Sequence, residues 1–333
     1  MNEQQNGICL ENESGAQAKI RPLHRGIRNA ALLVALGGVS LAAGFETART
    51  TLPAPKWDNA IPAQRFSHVV SPVRMPTPEE NKLDAELKRL PPQQQAERLL
   101  ERAMHDDAAA LDLLRENVDG WRGHLKNTDQ LFDLVLAALN SHDLRVRTAA
   151  IDVDLAANDL SKSPESVARL IRQLQRDPTS RGMALWRLGS LGNRGVEPEK
   201  VLDSLLNYAH DSNEHTRYWA VEGLAMLGND AAIDPLLDIL AHDQSPRVRE
   251  QAANSLGQSG MLTREERLAA VPHLLNFADD DSLTTTTREL VYGTLRVITG
   301  APLGNDANAW RAWWATHDPA QGHPRERTRI VRA

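Results

Sequence analysis

Asp243-Gln-Ser-Pro-Arg-Val-Arg-Glu-Gln-Ala-Ala-Asn-Ser-Leu-Gly257 opens on an acid, reaches an arginine at 249, runs through small residues to Leu256 and closes on glycine. The phrase returns four more times: Asp143 to Arg147 with Ala150, Asp177 to Arg181 with Ala184, Asp211 to Arg217 with Ala220, and Asp281 to Arg288 with Val291. Successive arginines lie 34, 36, 32 and 39 residues apart. Self-similarity at this period marks stacked helix pairs, each too small to bury its own apolar face. The reading is an all-α chain, an α-α superhelix built as a solenoid of about five to six helix pairs.

Each unit divides into two helices. Helix A is an aliphatic run, as in Ser166 to Leu174, Lys200 to Tyr208, Ala232 to Leu240 and Ala270 to Phe277, with apolar residues at i, i+3 and i+4. Helix B carries the phrase. At 100° per residue Ala220, Val221, Leu224 and Leu227 fall within about 120°, and Ala184, Leu185, Leu188 and Leu191 do the same. One face of helix B is therefore expected to be core. Gln93 to Met104 followed by Asp107 to Val118 fits a degenerate first pair, since Asp107 lies 36 residues before Asp143. Asp154 stands where the other units place Leu188, Leu224, Leu256 and Leu295, which predicts a register shift or local exposure in the 143–158 helix.

The phrase resembles the HEAT repeat of the bacterial HEAT-like kind, over residues 105–300, with Ser245 to Gly257 and His215 to Gly228 as the best matches. Ile298-Thr-Gly300 to Trp310-Arg-Ala-Trp-Trp314 is similar to a terminal element seen after such arrays. The resemblance implies a scaffold or partner-binding adaptor, and it leaves open an enzyme of the lyase-like HEAT branch or one with a loop-borne site. A cap is expected over 301–318, where Trp310, Trp313 and Trp314 share i, i+3, i+4 spacing on a short last helix.

Composition agrees with helix pairs. Of 333 residues 41% are hydrophobic and 4% aromatic, and the net charge of −6 is interspersed, so no overall attraction for nucleic acid is expected. Residues 1–29 form a polar and basic segment with Lys19, Arg21, Arg25 and Arg28, followed by an uncharged run over 30–45. That order predicts a signal peptide, with Ser40-Leu41-Ala42 as a cleavage pattern, or an uncleaved membrane anchor. Either leaves the solenoid (79–300) on the periplasmic side, membrane-anchored or secreted. Residues 46–78, rich in proline, read as a tether, and 319–333 as a disordered basic tail. The single cysteine, Cys9, precedes the apolar run and makes no intrachain disulfide.

Searches for chemistry return little. No phosphate-cradling glycine loop, Gly-x-Ser-x-Gly or His-Glu-x-x-His occurs, and no catalytic residue, cofactor or metal site is expected. His105-Asp106, His142-Asp143, His210-Asp211, His242-Asp243 and His317-Asp318 sit where one helix hands over to the next or at its equivalent, and read as caps.

Aromatic placement is more informative. Trp219 and Tyr218 lie about 140° and 120° from the centre of their helix's apolar stripe, and Trp186 about 160° from its own. These positions predict either an exposed patch or filler between B helices; the patch would comprise Trp186, Tyr218, Trp219, Glu222, Gln251 and Asn254 and bind a protein or peptide. Arg147, Arg181, Arg217, Arg249 and Arg288 lie one turn before a core residue, so each is expected to be held by a turn acid, Asp143, Asp177, Asp211, Asp243 or Asp281, in a ladder.

Overall fold

The computed structural model describes residues 77–319. The basic segment 1–29, the apolar run 30–45, the tether up to residue 76 and the tail beyond 319 lie outside the described residues. Among the described residues every regular element is a helix, and none is long and apolar enough to cross a membrane.

Six helix pairs follow one another. They are α2 (Pro92–Ala103) with α3 (Ala108–Asn117), α4 (Asp129–Leu139) with α5 (Leu144–Ala157), and α6 (Pro164–Arg176) with α7 (Arg181–Asn193). Next come α8 (Pro198–Ala209) with α9 (Glu214–Leu227) and α10 (Ile233–His242) with α11 (Pro246–Gly257). In the last pair the first helix is broken into α12 (Arg264–Ala269) and α13 (Val271–Ala278), which precede α14 (Thr285–Thr299). A leading helix, α1 (Pro78–Leu87), packs on α3, and a final one, α15 (Ala307–His317), packs on α13.

Local sequence sets the helix boundaries. Asp107, Thr128, Asp143, Asn213, Ser245, Thr284 and Asp306 each accept a backbone N–H of the helix they precede, and Thr263 with Glu266 completes a reciprocal capping box. Asp211 and Asp243 stand two residues ahead of the cap, accepting from the N–H of Asn213 and Ser245. Proline opens α2, α6, α8 and α11, where its missing N–H has no partner to lose. Gly228 and Gly300 end α9 and α14 in the left-handed conformation that favours glycine.

The two kinds of helix are buried differently. In α6 only Ser166, Val167, Leu170 and Leu174 are buried, a single stripe facing the core. In α9 every side chain from Thr216 to Leu227 is buried except Glu222, and in α5 ten of the residues from Val146 to Ala156 are. B helices thus form an inner layer with two packed faces.

Glycine lets that layer close up between α7 and α9. A Cβ added at Gly189 would sit 2.0 Å from the carbonyl oxygen of Gly223, and one at Gly223 only 2.8 Å from that of Leu185. Two helix backbones meet there with no side chain between them, which maximises dispersion contact along the crossing.

The 143–158 helix differs from the other units in register. Asp154 is buried and the helix is continuous, not exposed; its core stripe runs through Val146, Ala149, Ala150, Val153 and Ala156, so Val153 faces the first core one residue ahead of Asp154. The carboxylate receives a forked pair of bonds from Arg187 of α7, Nε to Oδ2 at 2.9 Å and NH2 to Oδ1 at 3.2 Å. Its neighbour Asp152, also buried, accepts from Arg194 Nε at 3.1 Å and lies 3.7 Å from Lys162. An ion pair replaces the leucine contact of the other units, so the acid needs no solvent.

At the C-terminal end Trp310 is fully buried and donates its Nε1–H to Gly304 O at 2.8 Å. Trp313 and Trp314 are only half-buried, and Trp313 stacks on His317 with ring centroids 4.1 Å apart. Of the three rings expected in the cap, Trp310 alone is fully buried, and Trp313 packs edge to face on it with centroids 6.0 Å apart. Arg311 supplements it with a bond to Leu275 O at 3.2 Å and an ion pair to Asp279.

Candidate functional site

The B-helix face of α7, α9 and α11 collects the residues singled out from the sequence. Trp186, Glu222 and Asn254 each stand five residues after a phrase arginine, and Trp219 and Gln251 each stand two after. Equal offsets place them on common rungs of neighbouring helices that pack on one another.

The structure corrects their exposure. Trp186, Tyr218, Trp219, Gln251 and Asn254 retain only 4%, 6%, 2%, 7% and 5% of their accessible surface, while Glu222 is half-buried. A single buried stripe per B helix would leave these positions exposed, whereas α5 and α9 have two packed faces. Trp219 lies against Gly182 of α7, where a Cβ would come within 2.7 Å of its indole. The ring fills the space that glycine leaves between adjacent B helices.

Over this aromatic floor stands a charged rim. The Arg247 guanidinium lies 4.7 Å from the Tyr218 ring centroid, and Tyr218 and Trp219 meet edge to face at 6.0 Å. Trp219 Nε1–H donates to His215 Nε2 at 3.0 Å, and Tyr218 O–H reaches Glu222 Oε1 at 3.4 Å. Burial pushes the Glu222 carboxyl up to about 7, and burial together with the Glu222 charge raises the Tyr218 phenol well above its ordinary value. Burial and the nearby Arg247 charge lower His215. Near neutral pH Tyr218 therefore has the Arg247 cation over its ring and, at its hydroxyl, a carboxyl poised between its two forms.

His215 and Arg247 are not among the residues the sequence singles out for the site. A signal existed: His215 and Arg247 each precede a phrase arginine by two residues, as Arg145 does in the second pair. Such a basic rung is visible only once the phrase arginines are aligned.

The arginine ladder forms in part. Arg217 makes a forked pair with Asp243 of the following unit at 2.8 and 3.1 Å, both side chains buried, and this bond raises the arginine's pKa further. Arg181 lies 3.9 Å from Asp211 and Arg288 2.8 Å from Asp281. The expectation fails for Arg147 and Arg249, which backbone carbonyls hold instead; Asp143 pairs with Arg145, and Asp177 caps Thr179. What recurs in all five is a bond to a carbonyl of the preceding turn: Ser141, Leu174, Asp211, Asp243 and Asp280. The phrase arginine is a clasp for the turn between helices A and B, and a carboxylate is an addition where geometry allows.

Among the described residues no group of three or more His, Cys, Asp or Glu side chains is arranged to hold a metal ion. A family model for HEAT repeats matches residues 167–257 and again 202–292, a stretch running from α6 into α14. No curated protein matches the chain.

Proposed function

We propose that this chain, whose residues 167–292 match a family model for HEAT repeats, is a non-catalytic scaffold or adaptor that binds a protein or peptide partner. The observation that carries this reading is the charged rim of His215, Glu222 and Arg247 set over a rigid aromatic floor on adjacent B helices. Rings locked in place lose little freedom on binding, and a mixed-charge rim supplies register to an incoming chain. In this reading the buried Trp186, Tyr218 and Trp219 shape the surface, and rim groups make the contacts.

Its location belongs to the same proposal. Basic residues at 19–28 followed by the uncharged run 30–45 support a scaffold held on the exported, periplasmic side of a bacterial membrane. Protease added to spheroplasts should then digest the helical array, and full protection would place it inside.

A photo-crosslinking residue at Arg247 or His215, compared with one at the exposed Glu199 of α8, tests the surface. The rim positions should give a discrete adduct that the α8 position lacks. Adducts from Glu199 alone, or identical patterns at all three, would move the binding surface elsewhere.

A further inference from the structure

We infer that the array is hinged between its second and third helix pairs, and that Arg147 is the latch that holds it closed. This inference stands apart from the partner proposed above. It rests on how two blocks, 78–157 and 164–317, meet.

Inside each block helices pack directly. The first has a continuous core through Leu83, Leu99, Leu114, Trp121, Leu131 and Val153, and the second has the glycine-mediated approach of α7 and α9. Helix-on-helix packing of that closeness does not cross from one block to the other. Directional polar contacts do, Arg187 to Asp154 and Arg194 to Asp152, while Arg169 NH2 ties the second block to Asn158 O of the connection at 2.8 Å. The connection at 158–163 turns through Asp159, whose φ of 53° is in the left-handed region.

The far side of the contact is made by Arg147. Its NH1 donates to Gln258 O at 3.1 Å and Gly260 O at 2.5 Å, residues 111 and 113 positions away. In a stacked array each unit ordinarily touches only its neighbours. Here the second pair's B helix reaches the end of the fifth pair's. The receptor is the turn that follows α11, where Ser255, Leu256 and Ser259 carbonyls hold the buried Arg267; burial and then the Arg147 charge beside it push the Arg267 guanidinium down to about 9, so the latch is closed against the repulsion of a second cation. Met261 N–H to Ala225 O at 2.8 Å anchors the same loop to α9.

Opening by rotation about 158–163 must break the Arg147 bonds, because they join one block to the other. Water can replace each polar bond lost when the blocks part, but Ile151 and Leu155 of α5, fully buried and outside the first block's core, add an apolar contribution that Arg147 helps to keep covered. The seam lacks the close helix-on-helix packing found inside either block, and there the array yields first.

Spin-label distances in the full chain test this, with Cys9→Ser removing the single native cysteine. Labels at Asp133→Cys on α4 and His273→Cys on α13 span the seam, and Asp203→Cys with His273→Cys reports within the second block; all three positions are exposed. Arg147→Ala should lengthen and broaden the spanning distance by several ångströms while the internal distance stays unchanged. An unchanged spanning distance in a folded Arg147→Ala chain overturns the latch. If that variant does not fold, the otherwise native labelled chain in rising urea decides: the spanning distance should lengthen before helical circular dichroism is lost. Coincidence of the two changes overturns the hinge.

Discussion

Trp219 shows how much one side chain depends on its neighbours. With 2% of its surface exposed and its indole seated over Gly182, its truncation should cost about 3 to 5 kcal/mol, as for other buried tryptophans. Urea unfolding of Trp219→Ala measures this, and a change within about 0.5 kcal/mol would make it a surface residue. Asp154 makes the same point with charge. Asp154→Ala strands Arg187 beside a buried cavity and should cost about 3 to 5 kcal/mol, whereas Asp154→Leu with Arg187→Met, restoring the leucine of the other units, should recover most of that loss. Equal losses in both proteins would show the pair to be worth more than its apolar replacement. Glu222 titrates differently from an ordinary carboxylate. Its folded value near 7 lies above its unfolded one, so its contribution is fully present below the unfolded pKa and is lost as pH rises through 7. Glu222→Gln should flatten the decline of stability between pH 5 and 8, by on the order of 1 to 3 kcal/mol at the alkaline end. Parallel curves for the two proteins would mean that Glu222 is solvated.

Helices α7 and α9 behave as one element because glycine faces glycine. Gly189→Ala introduces a methyl group 2.0 Å from a backbone oxygen, which no rotamer can relieve. The helices must separate, and a loss of about 1 to 3 kcal/mol or more is expected from overpacking. Gly120→Ala serves as the control, since a Cβ there meets nothing within 4 Å. Thermal unfolding compares them, and similar midpoints would mean that the helices are not held at this distance. The legibility of the elements follows from local chemistry: capping acids, opening prolines and apolar stripes lie within one or two turns of what they specify. The second packed face of a B helix is not local. It is made of Gly182, Gly189 and Gly223, residues that leave no hydrophobic mark and act only by absence.

Across the molecule, stability should pass from pair to pair. Removing residues 301–333 takes away α15 and with it Trp310, which is wholly buried, and the Arg311 contacts to α13. Fraying should begin at the uncovered end, so hydrogen exchange should rise in 263–299 before it rises in 197–228. A uniform loss of protection along the chain would contradict stacked pairs. The two blocks add a second level to this picture, because their shared seam is crossed by ion pairs and by a contact more than a hundred residues long in sequence.

The sequence by itself determined the helix pairs, their period, most of their boundaries and the place of the phrase arginine at the turn. Those follow from spacing, because core contacts at i, i+3 and i+4 and caps at fixed offsets are written in neighbouring residues. Only the tertiary structure decided which faces meet. It buried Trp186, Tyr218 and Trp219, paired Asp154 with Arg187 across a seam, carried Arg147 to the end of α11, and left Arg247 and His215 as the rim. Each depends on how far one helix stands from the next, and that distance is set by side chains thirty or more residues apart, packed together only after the pairs have stacked.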